Sequence, residues 1–192
     1  MRVTREKAAA NRDRIVEAAG ALFRANGFGG IGVADIMKAA DLTHGGFYGH
    51  FGSKDELIGE ASRRAMGRAA VNWERVVANA PHEPYAALLK HYLTPHHRDD
   101  PGQGCAFAAL GGDVARSGKS VRRAFAEGLR PLIDILGKAL PSRSKATRRR
   151  KALATMATMV GALTLARAVG DEALSDEILD AVHQELLAAA AR

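Results

Sequence analysis

An all-α fold is predicted for this 192-residue chain by three observations. Apolar residues recur three and four positions apart along most of its length, which is the period of a buried helix face. No run alternates apolar and polar residues as a strand would, and no internal repeat or low-complexity segment occurs before the terminal alanines. Asn-Gly, Pro and Ser fall between the periodic stretches, where helices start and stop. About nine helices result, divided between a small N-terminal domain (1–53) and a larger C-terminal domain (54–192).

Residues 5–26 form the first amphipathic helix, with Ile15, Ala18, Ala19, Leu22 and Phe23 on one face and Asn26-Gly27 as its stop. Val33, Ile36, Met37 and Ala40 repeat the period for two turns. Asp41-Leu42-Thr43 then makes a turn, with Thr43 placed to cap a third helix over 44–50. Ser53 and Glu56 spell a capping box in which each side chain satisfies a backbone N–H of the other. The fourth helix starts there, carries Leu57, Ile58, Ala61, Ala65, Ala69, Trp73 and Val76, and ends before Pro81.

Pro84 suits a first helical position, and Tyr85, Leu88, Leu89 and Tyr92 follow until Pro95 ends the segment. Residues 96–104, HHRDDPGQG, read as a loop. Cys105 to about Ala115 is short and apolar on most sides. A helix from about Lys119 to Leu140 carries Val121, Phe125, Leu129, Leu132, Ile133 and Leu136, and Pro131 within it should kink it. The last two helices, about 145–169 and 175–190, present Leu153, Met156, Met159, Val160 and Leu163 on one and Ile178, Leu179, Val182 and Leu186 on the other.

Composition narrows the class. No apolar run of signal-peptide length follows the N-terminus and charges interrupt the later apolar stretches, so a cytoplasmic protein without membrane partner is expected. The single cysteine fits a reducing compartment. A net charge of +7 favours an anionic partner such as nucleic acid. Residues 1–55 nevertheless hold eight Lys/Arg against six Asp/Glu. The excess lies in Arg63, Arg64, Arg68, Arg75 and the run 143–151.

Two short helices joined by a three-residue turn have the form of a helix-turn-helix. With 44–50 helical, Phe47 and Phe51 turn inward against Leu22, Phe23 and Ile36, while His44, Gly45, Tyr48 and Gly49 turn outward. Three glycines in two turns cost helix stability, and their lack of Cβ lets the backbone approach a DNA surface closely. Tyr48, His50 and Lys54 supply donors for phosphate oxygens, assisted by the helix N-terminus at residue 53. Base readout falls to Thr43 and His44, with backbone approach at Gly45 and Gly46.

The stretch ADLTHGGFYGHFGSKDELI, after GFGGIGVADIMKAA and RIVEAAGALFRANGF, resembles the DNA-binding domain of the TetR/AcrR family of bacterial transcriptional regulators. Phe47, Tyr48, His50, Phe51, Lys54 and Leu57 carry the resemblance, which covers about residues 10–60. Asp41 stands where a turn glycine is common, and Gly32-Val33 near where a Ser or Thr often touches phosphate. The resemblance implies a homodimer built on the last two helices, an effector cavity in the C-terminal domain, and release of a palindromic operator when a small lipophilic or electrophilic molecule binds. An alternative is a small-molecule-binding protein or enzyme that retains a vestigial helix-turn-helix.

Cys105 opens an apolar helix and reads either as a small core residue or as a thiol sensor, the latter by resemblance to an N-ethylmaleimide-responsive repressor of that family. Trp73, Tyr85, Tyr92 and Phe125 read as core, with Trp73, Tyr92 and Phe125 also candidates for the cavity wall beside Cys105. His91, His96, His97, Asp99 and Asp100 match no compact zinc spacing and read as solvated loop residues. The basic run from Arg143 reads as a solvated helix start. No nucleophile, base and orienting acid stand at a catalytic spacing. The expectation is a regulator with no cofactor, no metal and no enzymatic activity.

Overall fold

The computed structural model of the chain describes residues 5–141 and 144–191, which is all-helical among those residues. Ten helical elements follow one another: α1 (Arg5–Asn26), α2 (Val33–Ala39), a 3₁₀ helix (His44–Gly49), α3 (Lys54–Asn79), α4 (Pro84–Tyr92), α5 (Pro95–Asp99), α6 (Ala106–Arg116), α7 (Lys119–Ala139), α8 (Lys145–Ala168) and α9 (Glu172–Ala191). The element beyond the expected nine is α5. Thr94 caps it by accepting the His97 N–H at 3.1 Å, and Pro95 occupies its first turn, so the proline that ends α4 also starts a new turn. The Pro131 ring is accommodated inside one helix, α7. Arg143, at the head of the expected basic run, lies outside the described residues.

The helix expected over 44–50 is a 3₁₀ helix ending at Gly49. Gly46 N–H donates to Thr43 O at 3.0 Å and His50 N–H to Phe47 O at 2.9 Å, the shorter-loop bonds of that form. A glycine-rich segment has little α-propensity to oppose this tightening. Thr43 is extended as a cap residue must be, but its hydroxyl makes no capping bond. At α3 the Ser53 hydroxyl does accept Glu56 N–H at 3.1 Å, whereas the Glu56 carboxylate reaches back to Gly52 N–H at 2.8 Å, one residue before the box partner expected.

Two apolar clusters make the core. One gathers Ile15, Val16, Phe23, Ile36, Phe47, Phe51, Leu57 and Met66 with Leu110, Val121 and Phe125 from α6 and α7. The other gathers Trp73, Tyr85, Leu88, Leu89, Tyr92 and Leu132 with Met156, Met159, Leu163 and Leu179 from α8 and α9. Helix α3 contributes to both. Its outer face is laced to α1 by Arg64–Asp13 at 2.6 Å, Arg68–Glu17 and Arg12–Glu60. Surface pairs of this kind stabilise weakly; here they fix the direction in which α1 leaves the bundle.

Three further bonds tie the N-terminal segment to the rest. Arg24 donates from Nε to Gly102 O at 2.9 Å, Phe28 N–H donates to Asp113 Oδ2 at 2.9 Å, and Lys54 Nζ donates to the carbonyls of Phe28 and Ile31, each at 2.5 Å. Gly27, at φ 75°, ends α1 in the left-handed region, and a Cβ there would stand 2.9 Å from Asp113 Oδ2.

Asp41 is the one non-glycine residue with positive φ (51°) among those described, so the turn position where glycine is common keeps its left-handed backbone. Its carboxylate meets Arg14 at 3.2 Å on an exposed surface. Replacing Asp41 with Gly should leave stability within about 1 kcal/mol of wild type, while Asp41→Val should cost about 1–2 kcal/mol in urea denaturation because a β-branched residue resists that region. Equal effects of the two substitutions would show that φ is not the constraint.

Candidate DNA interface and effector cavity

Phe47 and Phe51, each 1% exposed, stack with ring centroids 5.7 Å apart behind the 3₁₀ helix. Arg12 covers the Phe51 ring at 4.0 Å and donates to the His50 carbonyl, so the exit of the element is clamped from the side of α1. In front stand His44, Gly45, Tyr48 and Gly49, all exposed, with Tyr48 at 72%. Thr43 is exposed beside them; Gly46 and His50 are half-buried.

None of the three glycines has positive φ. A Cβ at Gly45 or Gly49 would meet nothing within 4 Å, and one at Gly46 would make ordinary contact with Met37 at 3.5 Å. Neither backbone conformation nor internal packing therefore demands glycine there. The bare surface they leave faces outward.

Lys54 behaves differently from the expectation of a phosphate donor. Its ammonium spends two of its three donors on the Phe28 and Ile31 carbonyls and is half-buried, so it acts first as a clamp on the turn between α1 and α2.

The second site is a cavity of about 560 Å³ under α3, α4 and the 94–107 segment. Trp73, Tyr92 and Cys105 line it together, as the sequence suggested, with Met66, Phe107, Leu132 and Met156 completing an apolar wall. Phe125 does not reach it: that ring is 4% exposed and packs edge-on to Phe107 at 5.5 Å inside the other cluster. Its place on α7 about two turns before the cavity-lining Leu132, in the other cluster, accounts for the difference.

Residues of the presumed loop 96–104 are also part of this wall. His97 is half-buried and stands edge-on to Tyr92 at 4.6 Å, continuing the edge-on pair of Trp73 and Tyr92 at 6.0 Å. Its Nδ1–H donates to Tyr92 O at 2.8 Å and its Nε2 accepts Cys105 N–H at 2.9 Å, which defines a neutral ring in one tautomer. Arg24, 6% exposed, reaches the cavity from α1.

Comparison with known proteins gives the same picture along the chain. The sequence pattern described as "Bacterial regulatory proteins, tetR family" matches residues 15–61, which include α2, the 3₁₀ helix and the start of α3. Over those residues the chain carries the TetR-family DNA-binding pattern. A probable acrEF/envCD operon repressor of Escherichia coli K12 is 29% identical over 90 residues, 47% of this chain and 41% of that protein, so less than half of the curated relative is spanned. The fold as a whole is similar to that of solved structures. Escherichia coli NemR in its reduced form superposes with a TM-score of 0.77 at 21% identity, covering 92% of this chain and 95% of that one. A TetR transcriptional regulator from Chloroflexus aurantiacus gives 0.77 at 24%, covering 94% of each. FadR of Bacillus subtilis, in complex with stearoyl-CoA, gives 0.65 at 18%, covering 88% and 96%.

Among the cavity residues that sequence reasoning missed are Arg24, His97 and Phe107. Phe107 carried a usable signal, since it lies two residues after Cys105 on an apolar helix. Arg24 and His97 carried none: one sits on a helix assigned to DNA binding and the other in a polar stretch with Pro and Gly.

Burial holds His97 below the ordinary imidazole range, the Tyr92 carbonyl opposes this, and the Arg167 charge adds to it. His91 is shifted the same way by burial and Arg75. A lowered folded-state value means that the unfolded chain takes up the proton first, so stability is complete above about pH 6.5 and falls as acidification proceeds toward the folded-state value. Wild type should therefore lose more stability between about pH 7.5 and about pH 5.5 than His97→Gln does, in urea denaturation at both values. An equal loss would remove His97 from the account.

Proposed function

We propose that this protein is a homodimeric transcriptional repressor, which holds a palindromic operator through the 3₁₀ helix and releases it when a small molecule fills the cavity beside Trp73, Tyr92 and Cys105. The observation that carries the reading is the bare outward face of Gly45 and Gly49, backed by the buried Phe47–Phe51 pair, with Tyr48 projecting from it. A surface that neither folds better nor packs better for its glycines gains only where another backbone must come close. In this reading residues 1–53 form the DNA-binding domain and 54–192 the ligand-binding and dimerisation domain. The naming of its relative as an operon repressor and the stearoyl-CoA held by FadR support repression and a ligand-filled cavity.

Tyr48 and His50 serve phosphate oxygens, His44 and Thr43 read base edges, and Gly45 and Gly46 admit the DNA backbone. Lys54 supports them by fixing the turn, with one donor left for a phosphate. The dimer is assigned to α8 and α9. There Met156, Met159, Leu163 and Leu179 point into the protomer, and the surface offered to a partner is instead Leu153, Leu165 and Leu174 amid alanines, with Gly161 open on one side. Small residues on such a face allow two helix pairs to approach and form a four-helix interface. No helix among the described residues is long and apolar enough to cross a membrane. We place the protein in the cytoplasm with its operator, as a binding protein with no catalytic step.

Selection from random double-stranded DNA should return a palindrome, bound with an affinity that falls steeply with salt. Tyr48→Phe should weaken all selected sequences by about tenfold at unchanged melting temperature. His44→Ala should change which bases are preferred, and Lys54→Ala should lower both affinity and melting temperature. Selection without a palindrome, or full affinity in a Tyr48→Phe/His50→Ala variant, would count decisively against the reading.

A second reading concerns the effector alone. Cys105 is the only cysteine of the chain and lines the cavity, and the NemR neighbour is described in a reduced form. An electrophile entering the cavity would meet this thiol. N-ethylmaleimide should then release the operator from wild type and leave Cys105→Ala bound; release from both would discard the thiol.

A further inference from the structure

Two buried side-chain polar atoms lack any hydrogen-bond partner among the described residues, and both are donors: the Tyr92 hydroxyl and Nη1 of Arg167. Tyr92 is 3% exposed and lines the cavity, and burial, with the neighbouring Cys105 side chain, pushes its hydroxyl well above the ordinary phenol range, so it is a neutral donor with no well-formed hydrogen bond among the described residues. The rest of the Arg167 guanidinium is taken by main-chain carbonyls, those of Arg98 at 3.0 Å and His97 at 2.6 Å.

A third donor group completes the pattern. Arg24 also lines the cavity, is 6% exposed, and binds the Gly102 carbonyl, with no carboxylate ion pair. Arg24, Tyr92 and Cys105 line the same cavity, and Arg167 stands behind its Gly104 wall, where a Cβ would meet Nη2 at 2.7 Å. Buried cations in proteins are ordinarily paired. Here the Arg24 guanidinium and an unsatisfied hydroxyl border one cavity, and the acids that act on Arg24, Glu17 and Asp100, do so through space without an ion pair among the described residues. The one carboxylate on the cavity wall, Asp100, is exposed and accepts the Gln103 amide at 3.1 Å. The opposite wall is apolar and aromatic.

We infer that the cavity takes an apolar organic anion, its oxyanion received on the Cys105 side by Tyr92 Oη and the Arg24 guanidinium and its body held against Trp73, Phe107, Leu132 and Met156. This rests on the reading of the cavity as the effector site and narrows its ligand to a carboxylate-type compound. The anion has a direct route to the DNA-binding segment, because Arg24 belongs to α1. An oxyanion is a stronger acceptor than a carbonyl, so its arrival draws the guanidinium from Gly102 O and loosens one of the ties that hold α1 to the ligand-binding bundle.

A matched pair of probes tests this, 4-phenylbutanoate and 4-phenylbutanamide, which share a body and differ in charge. Trp73 is the only tryptophan of the chain and lines the cavity, so its fluorescence reports occupancy in the full-length protein. The acid should bind at least about tenfold more tightly than the amide, and Arg24→Gln, which keeps a donor for Gly102 O but removes the charge, should abolish most of that preference. Tyr92→Phe should weaken both probes by a similar factor while leaving the melting temperature unchanged or raised, because it deletes an unsatisfied hydroxyl and keeps the ring. Equal binding of acid and amide, no saturable Trp73 signal with either, or a preference that survives Arg24→Gln would overturn the inference. Operator binding without probe is scored on the same samples: its absence counts against the repressor reading, whereas an intact operator complex with no preference for the acid overturns only the anion.

Discussion

The 26 residues of α3 bury Leu57, Ile58, Ala61 and Met66 in one apolar cluster and Trp73 in the other, so a single rigid rod is the shared wall of both cores. A packed helix does not deform continuously; it shifts as a body or stays. At its N-terminus Lys54 grips the Phe28 and Ile31 carbonyls, and about two turns before its end Trp73 borders the cavity. The recognition element thus has no independent foundation. Its Phe47 and Phe51 lie on a core that α6 and α7 also fill, and any repacking around the cavity is felt there through Met66 and Leu110.

Charge is arranged to the same end. Several of the arginines are paired internally: Arg64 and Arg68 with acids on α1, Arg98 with Asp99 and Asp176, Arg149 with Asp134. Attraction to DNA through these side chains is correspondingly reduced, since each is already balanced by a neighbour. In the proposed reading the groups that meet phosphate are local: the Tyr48 hydroxyl, the His50 ring and the backbone donors at the start of α3. Arg24 is buried and makes its hydrogen bonds to the Gly102 carbonyl, as Arg167 does to those of His97 and Arg98, and it joins α1 to the cavity wall.

Much of this was legible in the sequence because it depends on local chemistry. The capping serine, the left-handed turn at Asp41, the inward Phe47 and Phe51 and the outward Tyr48 all follow from residue type and spacing within a few positions. The failures share a cause, since each depends on a partner far along the chain. Lys54 reads as a phosphate donor until the carbonyls 26 and 23 residues earlier are brought to it. His97 reads as solvated until the Tyr92 carbonyl and Cys105 N–H close on its two nitrogens. Phe125 has the right spacing for the cavity side of α7 but lies in the other cluster, and periodicity within one helix does not say which of two cores its buried face meets. The 3₁₀ form of residues 44–49 is a subtler case. Glycine content announced a weak α-helix, yet the choice between α and 3₁₀ is small in energy and is decided by how Phe47 seats in the core.

The glycines then acquire a second meaning. A recognition element held only by two phenylalanines and a flanking arginine has little helix propensity of its own, so its geometry is borrowed from the cluster behind it. That makes it responsive: a small displacement of α1 or α3 re-aims an element that has no internal rigidity to resist. It also shifts the burden of specificity. With three positions lacking side chains, base edges are read by few groups, and the width and deformability of the groove that the bare backbone enters must supply discrimination that side chains do not. The feature that lets the protein approach DNA closely is therefore the same one that ties its grip to the state of the core, and a cavity that shares α3 with that core is well placed to loosen it.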